Sequence, residues 1–123
     1  LGFRLQLAGF RCVFTPTARV RHIGSAITGF RSGFSTFYGH RNTTWVLVKN
    51  MPAALLPAAC VAHVFVSVLL TVVMARTGRL RPYTSAKFSA LLLFWRAYRE
   101  RKTILRLTPT LTILKSLSSV MRR

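Results

Sequence analysis

The sequence predicts a mainly α-helical chain with a short β segment near its N-terminus, followed by membrane-associated hydrophobic and amphipathic helices. Three observations carry this expectation. Residues 53–75 hold no charged side chain, taking His63 as neutral, and a helix of that length reaches across a hydrocarbon layer of about 30 Å. Residues 83–123 repeat apolar side chains at helical spacing among cations. Residues 11–24 alternate instead, as strands do.

In chain order, LGFRLQLAGF sets Leu1, Leu5 and Ala8 on one helical face, with Phe3, Leu7 and Phe10 widening it. Gly9 is placed to close that helix in a left-handed turn. RCVFTP then reads as a strand stopped at Pro16, and ARVRHIG as a second one, with Val20 and His22 alternating against Arg19, Arg21 and Ile23 before a break at Gly24-Ser25. The segment between Phe30 and Asn50 is rich in aromatic residues and reads as a helix, or as two helices interrupted at Gly33 or Gly39.

The uncharged run AALLPAACVAHVFVSVLLTVVMA is a membrane-helix candidate with Pro57 in its first turns, where proline is tolerated. Ala58, Ala59, Ala62 and Ser67 are small enough to let another helix come close. Arg76, Arg79, Arg81 and Lys87 crowd one end of the run while Arg31, Arg41 and Lys49 approach the other. A single crossing cannot put both ends on the basic, cytoplasmic side. An interfacial or re-entrant helix, or a second crossing that returns, reconciles them.

Farther on, Phe88, Leu91, Leu92, Trp95 and Tyr98 form an apolar stripe, with Arg96, Arg99, Arg101, Lys102 and Arg106 gathered toward its C-terminal half. This pattern suits an in-plane helix at an anionic membrane surface, or a helix packed on a further domain. After Pro109, Leu111, Leu114, Leu117 and Met121 continue a similar stripe. The organisation is therefore residues 1–50, then a hydrophobic helix and basic loop over 51–82, then an amphipathic basic tail over 83–123.

Composition narrows the chemistry. The 123 residues include 19 Lys and Arg but one acid, Glu100, for a formal net charge of +18. General acid–base catalysis draws on a positioned titratable group, most often His or a carboxylate, and Mg²⁺ prefers carboxylate oxygens. Glu100 sits among Arg96, Arg99, Arg101 and Lys102 and reads as a surface ion-pair partner. Cys12 and Cys60 lie far apart without metal-ligand spacing and read as buried free thiols. The charge favours anionic partners, yet no zinc, helix-turn-helix or single-strand-binding signature accompanies it, so no specific nucleic acid is expected.

Residues 1–42, quoted as LGFRLQLAGFRCVFTPTARVRHIGSAITG followed by YGHRN, resemble the last part of the catalytic domain of family 2 glycosyltransferases, particularly rhamnosyltransferase-like members. Arg4, Leu5, Gly9, Pro16, Ala18 and His22 match that pattern, as does the Arg41-Asn42 pair after Tyr38, and a looser match continues through Lys49-Asn50-Met51-Pro52. In the family an acidic pair directly precedes the RL…G helix, so the corresponding text would end just before Leu1. The resemblance implies the C-terminal part of a GT-A α/β catalytic domain. It further implies inverting, metal-dependent transfer of a sugar from a nucleotide-diphosphate donor to a lipid-linked or polysaccharide acceptor, at the cytoplasmic face of a membrane.

By the same resemblance, His22 is a ligand for a divalent metal, Mn²⁺ or Mg²⁺, completed by aspartates of an upstream Asp-x-Asp motif; imidazole suits Mn²⁺, and the metal would stabilise charge on the departing diphosphate. Arg41 and Asn42 are the substrate-binding candidates, since a guanidinium matches phosphate and an amide matches sugar hydroxyls. Arg41 reads equally as a side chain snorkelling from a membrane-proximal helix. No catalytic base can be named, and the chain alone is expected to be inactive. The alternative is a small basic membrane protein without catalytic activity. His40 and His63 read as structural.

Overall fold

The computed structural model describes residues 2–11, 13, 15–20 and 32–120, and among them every regular element is helical. The helices are α1 (Gly2–Leu7), α2 (Gly33–Asn50), α3 (Leu56–Arg76), α4 (Leu80–Leu92), α5 (Phe94–Arg99) and α6 (Thr110–Val120), with short 3₁₀ turns over Ala53–Leu55 and Glu100–Thr103. This corrects the expected β remnant of a GT-A α/β domain. The described part of RCVFTP and ARVRHIG is a turn at Pro16-Thr17 within irregular chain. A strand needs a paired neighbour to satisfy its backbone, and alternation of side chains supplies none. His22, Gly24, Ser25 and Gly29 lie outside the described residues.

Helix α1 ends as the sequence predicts. Gly9 adopts φ of 88°, Phe10 N–H donates to Leu5 C=O at 2.9 Å and Gly9 N–H to Gln6 C=O at 3.1 Å, the paired bonds of a glycine-terminated helix. Helix α2 begins where the Ser32 hydroxyl accepts from Ser35 N–H at 3.1 Å. It then runs unbroken past Gly39, so the glycines do not divide it.

Helices α2, α3 and the α4–α5 pair lie side by side. The His40 ring meets Tyr83 edge-on at 4.7 Å, Trp45 Nε1 donates to the Ala90 carbonyl at 3.3 Å, and Lys49 pairs closely with Glu100. Partner numbers rise together, so α2 runs parallel to α4–α5. Against α3 the order reverses. Tyr83 Oη donates to Ser67 C=O at 2.7 Å, and Lys87 Nζ lies 3.1 Å from His63 Nε2. The reversal is made by Gly78 at φ 69°, with Arg79 N–H donating to Met74 C=O at 2.9 Å.

The faces that meet are small. Buried Ala86, Ala90 and Ala97 carry α4–α5 onto α2, leaving Phe88, Leu91, Leu92, Trp95 and Tyr98 exposed. The stripe read from the sequence is therefore the outer face. In α6 Ile113 is the buried position, while Leu111, Leu114 and Leu117 are exposed.

The C-terminal end of α2 is fixed by residues distant in sequence. The Arg101 guanidinium donates to the carbonyls of Val48 and, at 2.7 Å, Met51; Arg106 donates to Lys49 C=O at 2.7 Å. Asn50, buried, accepts from Arg4 Nε at 2.8 Å and donates to Val46 C=O at 2.7 Å. Immediately after Arg106, the N–H groups of Leu107 and Thr108 donate to Leu7 C=O at 2.8 and 3.0 Å. These bonds satisfy carbonyls that a helix terminus leaves open.

Two predictions follow from these contacts. Gly78→Ala should destabilise the chain by about 1 kcal/mol, because a side chain disfavours the left-handed region. Gly39→Ala, whose new Cβ meets nothing within 4 Å, should stabilise it by about 0.5–1 kcal/mol; denaturant titration compares the two. Replacing either Arg101 or Arg106 with Met should cost about 2 kcal/mol by the same measurement, with the double variant departing from additivity.

Candidate functional site

Helix α3 exposes apolar side chains over most of its surface. Leu56, Ala59, Cys60, His63, Ser67, Leu70 and Met74 recur at three- or four-residue intervals and are the half-buried or buried positions. The rest of its surface is exposed and, Thr71 and Arg76 apart, apolar, including Val61, Phe65, Val68, Leu69 and Val72. With its leading turn, Ala53–Arg76 forms 24 residues long and apolar enough to cross a membrane, and almost none of it is buried against the rest of the protein. Cys60, His63 and Ser67 thus face the other helices together with Leu56, Ala59, Leu70 and Met74, while most of the outward surface is hydrocarbon. Pro57 stands at the helix start, as expected. Of the small residues, Ala59 and Ser67 turn inward while Ala58 and Ala62 are exposed.

Between α2, α3 and α4 lies a cavity of about 490 Å³, within the size range of small-molecule sites. Val64, Val68, Leu91 and Phe94 give it apolar walls. At its centre, His63 Nε2 lies 3.0 Å from Thr44 Oγ1 and 3.1 Å from Lys87 Nζ. Lys87 also sits 5.4 Å from the centre of the Tyr83 ring. Burial holds its ammonium below the ordinary lysine range. Sequence reasoning treated His63 as structural and Lys87 as one of several loop cations. The signal for this cluster was present, because Cys60, His63 and Ser67 interrupt an apolar run on one face of a helix.

The two substrate-binding candidates take another position. Arg41 Nε and Nη2 both donate to Asn42 Oδ1 at 3.3 Å. The guanidinium carbon lies 4.5 Å from the Trp45 ring centre, 4.6 Å from Tyr38 and 5.5 Å from Phe37. Arg41 is thus held against three rings, while Asn42 lines a shallow groove with Phe3 and Leu117. Neither lines the His63 cavity.

The basic tail also divides. Arg101 and Arg106 turn inward to the α2 carbonyls, which corrects their assignment to the headgroup-facing set. Arg99 covers the Trp95 ring at 5.7 Å, and Arg96 Nε reaches Glu100 at 3.4 Å. Hydrogen bonding from Lys49, more than the charge of Arg96, holds the Glu100 carboxyl below its usual range. Lys49 is the partner that local spacing did not reveal. With its one acidic side chain so engaged, this chain supplies no carboxylate set for the implied Mn²⁺ or Mg²⁺, and the described residues contain no cluster of three metal-ligating side chains. Cys60 is a free, half-buried thiol.

No family model, curated protein or solved structure matches this chain.

The His40 imidazole is held below its ordinary range by burial first, then by Lys87 and Arg79. The unfolded chain therefore binds a proton at His40 more readily than the folded one, and stability falls as pH drops through about 6.5 toward the lower folded value. The thermal midpoint is expected to fall on acidification from about pH 7.5 to about pH 5.5, and His40→Gln to reduce that fall. An unchanged slope in the variant would contradict this.

Proposed function

We propose that this chain is the membrane-binding helical part of an enzyme that transfers a sugar from a nucleotide-diphosphate donor to a lipid-linked or glycan acceptor at the cytoplasmic face. The observation that carries the membrane half is the exposed apolar surface of α3. An outer surface of Val61, Phe65, Val68, Leu69 and Val72 around an inward stripe of Cys60, His63 and Ser67 suits lipid as the covering medium. The exposed Phe88, Leu91, Leu92 and Trp95 extend that surface onto α4 and α5.

Orientation follows from what lies beside α3. Its two ends are both basic, with Arg76, Arg79 and Arg81 at one and Lys49, Arg99 and Lys102 near the other. A crossing helix would also draw α2, with Arg41, to bilayer depth, where a cation costs about 2.5–3.5 kcal/mol. Insertion along the membrane plane removes both conflicts. α3 then forms the immersed edge, both basic ends lie in the headgroup layer, and Arg41 and Asn42 stay near water. Each Lys or Arg near an anionic surface adds about 1 kcal/mol.

The transferase half rests on the resemblance carried by Arg4, Leu5, Gly9, Pro16, Ala18, His22 and the Arg41-Asn42 pair. In this reading the metal-binding aspartates and the base come from outside these 123 residues. Helices α1 and α2 then join the catalytic unit to the membrane-binding helices.

The chain is expected to stay with sealed vesicles after a high-salt and alkaline wash, and Phe65→Arg to weaken that retention by about 3 kcal/mol. Cysteines placed singly at Met51 and Thr77, with the native thiols replaced, should react with an impermeant reagent from the same side; labelling from opposite sides would overturn in-plane insertion. The transferase half is tested on the coding sequence. An in-frame upstream segment with Asp-x-Asp, and metal-dependent transfer weakened by His22→Ala in the extended protein, support it. A stop codon directly upstream would leave the small basic membrane protein.

A further inference from the structure

The cavity between α2, α3 and α4 places a half-buried ammonium beside hydrocarbon without an acid to pair with it. Lys87 has three N–H donors. Its hydrogen-bonding contact is His63 Nε2, and it also lies over the face of Tyr83. The single acidic side chain of the sequence is Glu100, which Lys49 and Arg96 hold elsewhere.

Proton counting sharpens this deficit. Thr44 Oγ1 lies within reach of two acceptors, the His40 carbonyl at 3.2 Å and His63 Nε2 at 3.0 Å, and has one hydrogen to give. The ring nitrogen carries either a hydrogen or a lone pair. As an acceptor it takes one hydrogen from Lys87; as a donor to Thr44 it takes none. In both tautomers at least two ammonium hydrogens lack a protein acceptor. A half-buried cation with donors left open gains from an anion that completes it, because charge withdrawn from water is costly unless it is paired.

We infer that this cavity binds a single-chain amphiphile with an anionic head, phosphate or carboxylate, the head on Lys87 with Thr44 and His63 beside it and the alkyl chain along Val64, Val68, Leu91 and Phe94. The apolar walls exclude a bare inorganic anion as the fitting ligand, because such an ion would leave most of the 490 Å³ without apolar contact. Val64, Leu91 and Phe94 are also exposed, so the cavity is open on the hydrocarbon-coated side. The chain of the ligand enters from there. This site does not depend on sugar transfer.

The test uses the full chain in phosphatidylcholine nanodiscs and four dodecyl probes carrying a photoreactive diazirine: phosphate, carboxylate, alcohol and trimethylammonium. Labelling of α3 and α4 between Cys60 and Phe94 is expected to be at least about tenfold stronger for the two anions. Lys87→Met should reduce anion labelling to the level of the alcohol with helix content unchanged, and Lys87→Arg should retain it. Val68→Trp should block all four probes. Phosphatidate added to the nanodiscs should compete if a bilayer lipid is the source, and millimolar inorganic phosphate should not. Equal labelling by phosphate and alcohol, unchanged labelling in Lys87→Met, or displacement by inorganic phosphate would overturn the inference. If Lys87→Met fails to fold, the comparison of probes on the native chain and on Lys87→Arg decides alone.

Discussion

The arrangement depends on two guanidinium groups that close the C-terminal end of α2. Arg101 and Arg106 donate to the carbonyls of Val48, Lys49 and Met51, fifty or more positions earlier in the chain. Helix carbonyls at a C-terminus carry partial negative charge and have no partner within the helix. Guanidinium is suited to this place because it stays charged and presents several donors in one plane. Once it is seated, α5 must lie beside the end of α2, and the next residues, Leu107 and Thr108, fall against the end of α1. One set of bonds thus ties the first helix, the long middle helix and the tail together.

That closure explains how the helices associate with so little large apolar burial. Beside Tyr83, which is buried against His40, the contacts between α2 and α4–α5 use alanines, and Phe88, Leu91, Leu92, Trp95 and Tyr98 point away. Close approach of backbones through small residues is how helices pack where lipid already satisfies large apolar groups. The same logic organises α3, whose histidine, serine and cysteine face the other helices. In water this distribution would expose hydrophobic surface on every side of the bundle. Against a bilayer it puts each group with the medium that suits it.

Local signals in the sequence were legible and long-range ones were not. Gly9 as a left-handed helix end, Pro57 in a first turn and the uncharged run over 53–75 each act through neighbours within a few residues. The strands proposed around Pro16 failed because alternation describes how a strand buries one face without supplying a second strand to pair with. The sequence leaves open whether Gly39 breaks the helix, and the surrounding helix tolerates it at a modest local cost. The amphipathic stripe of α4 and α5 was found correctly, but its direction was not fixed by the sequence alone: either the stripe or the alanine face could have turned inward. The partners of Lys49, Arg101 and Arg106 are not legible in local spacing, because the carboxylate and carbonyls they bind lie far along the chain.

Charge accounting joins these features. With 19 basic side chains and one acid, ion pairing cannot organise the fold. The chain instead uses weaker counterparts for its cations: carbonyl ends for Arg101 and Arg106, ring faces for Arg41 and Arg99, and an imidazole for Lys87. Carbonyls and ring faces offer partial negative charge without neutralising the cation. The field of the uncompensated charge therefore remains, and it is strongest in effect where burial reduces screening. Cations at the surface can draw on mobile counterions. Lys87 is half-buried beside apolar walls and draws on such counterions less freely, which favours a counterion that brings its own hydrocarbon.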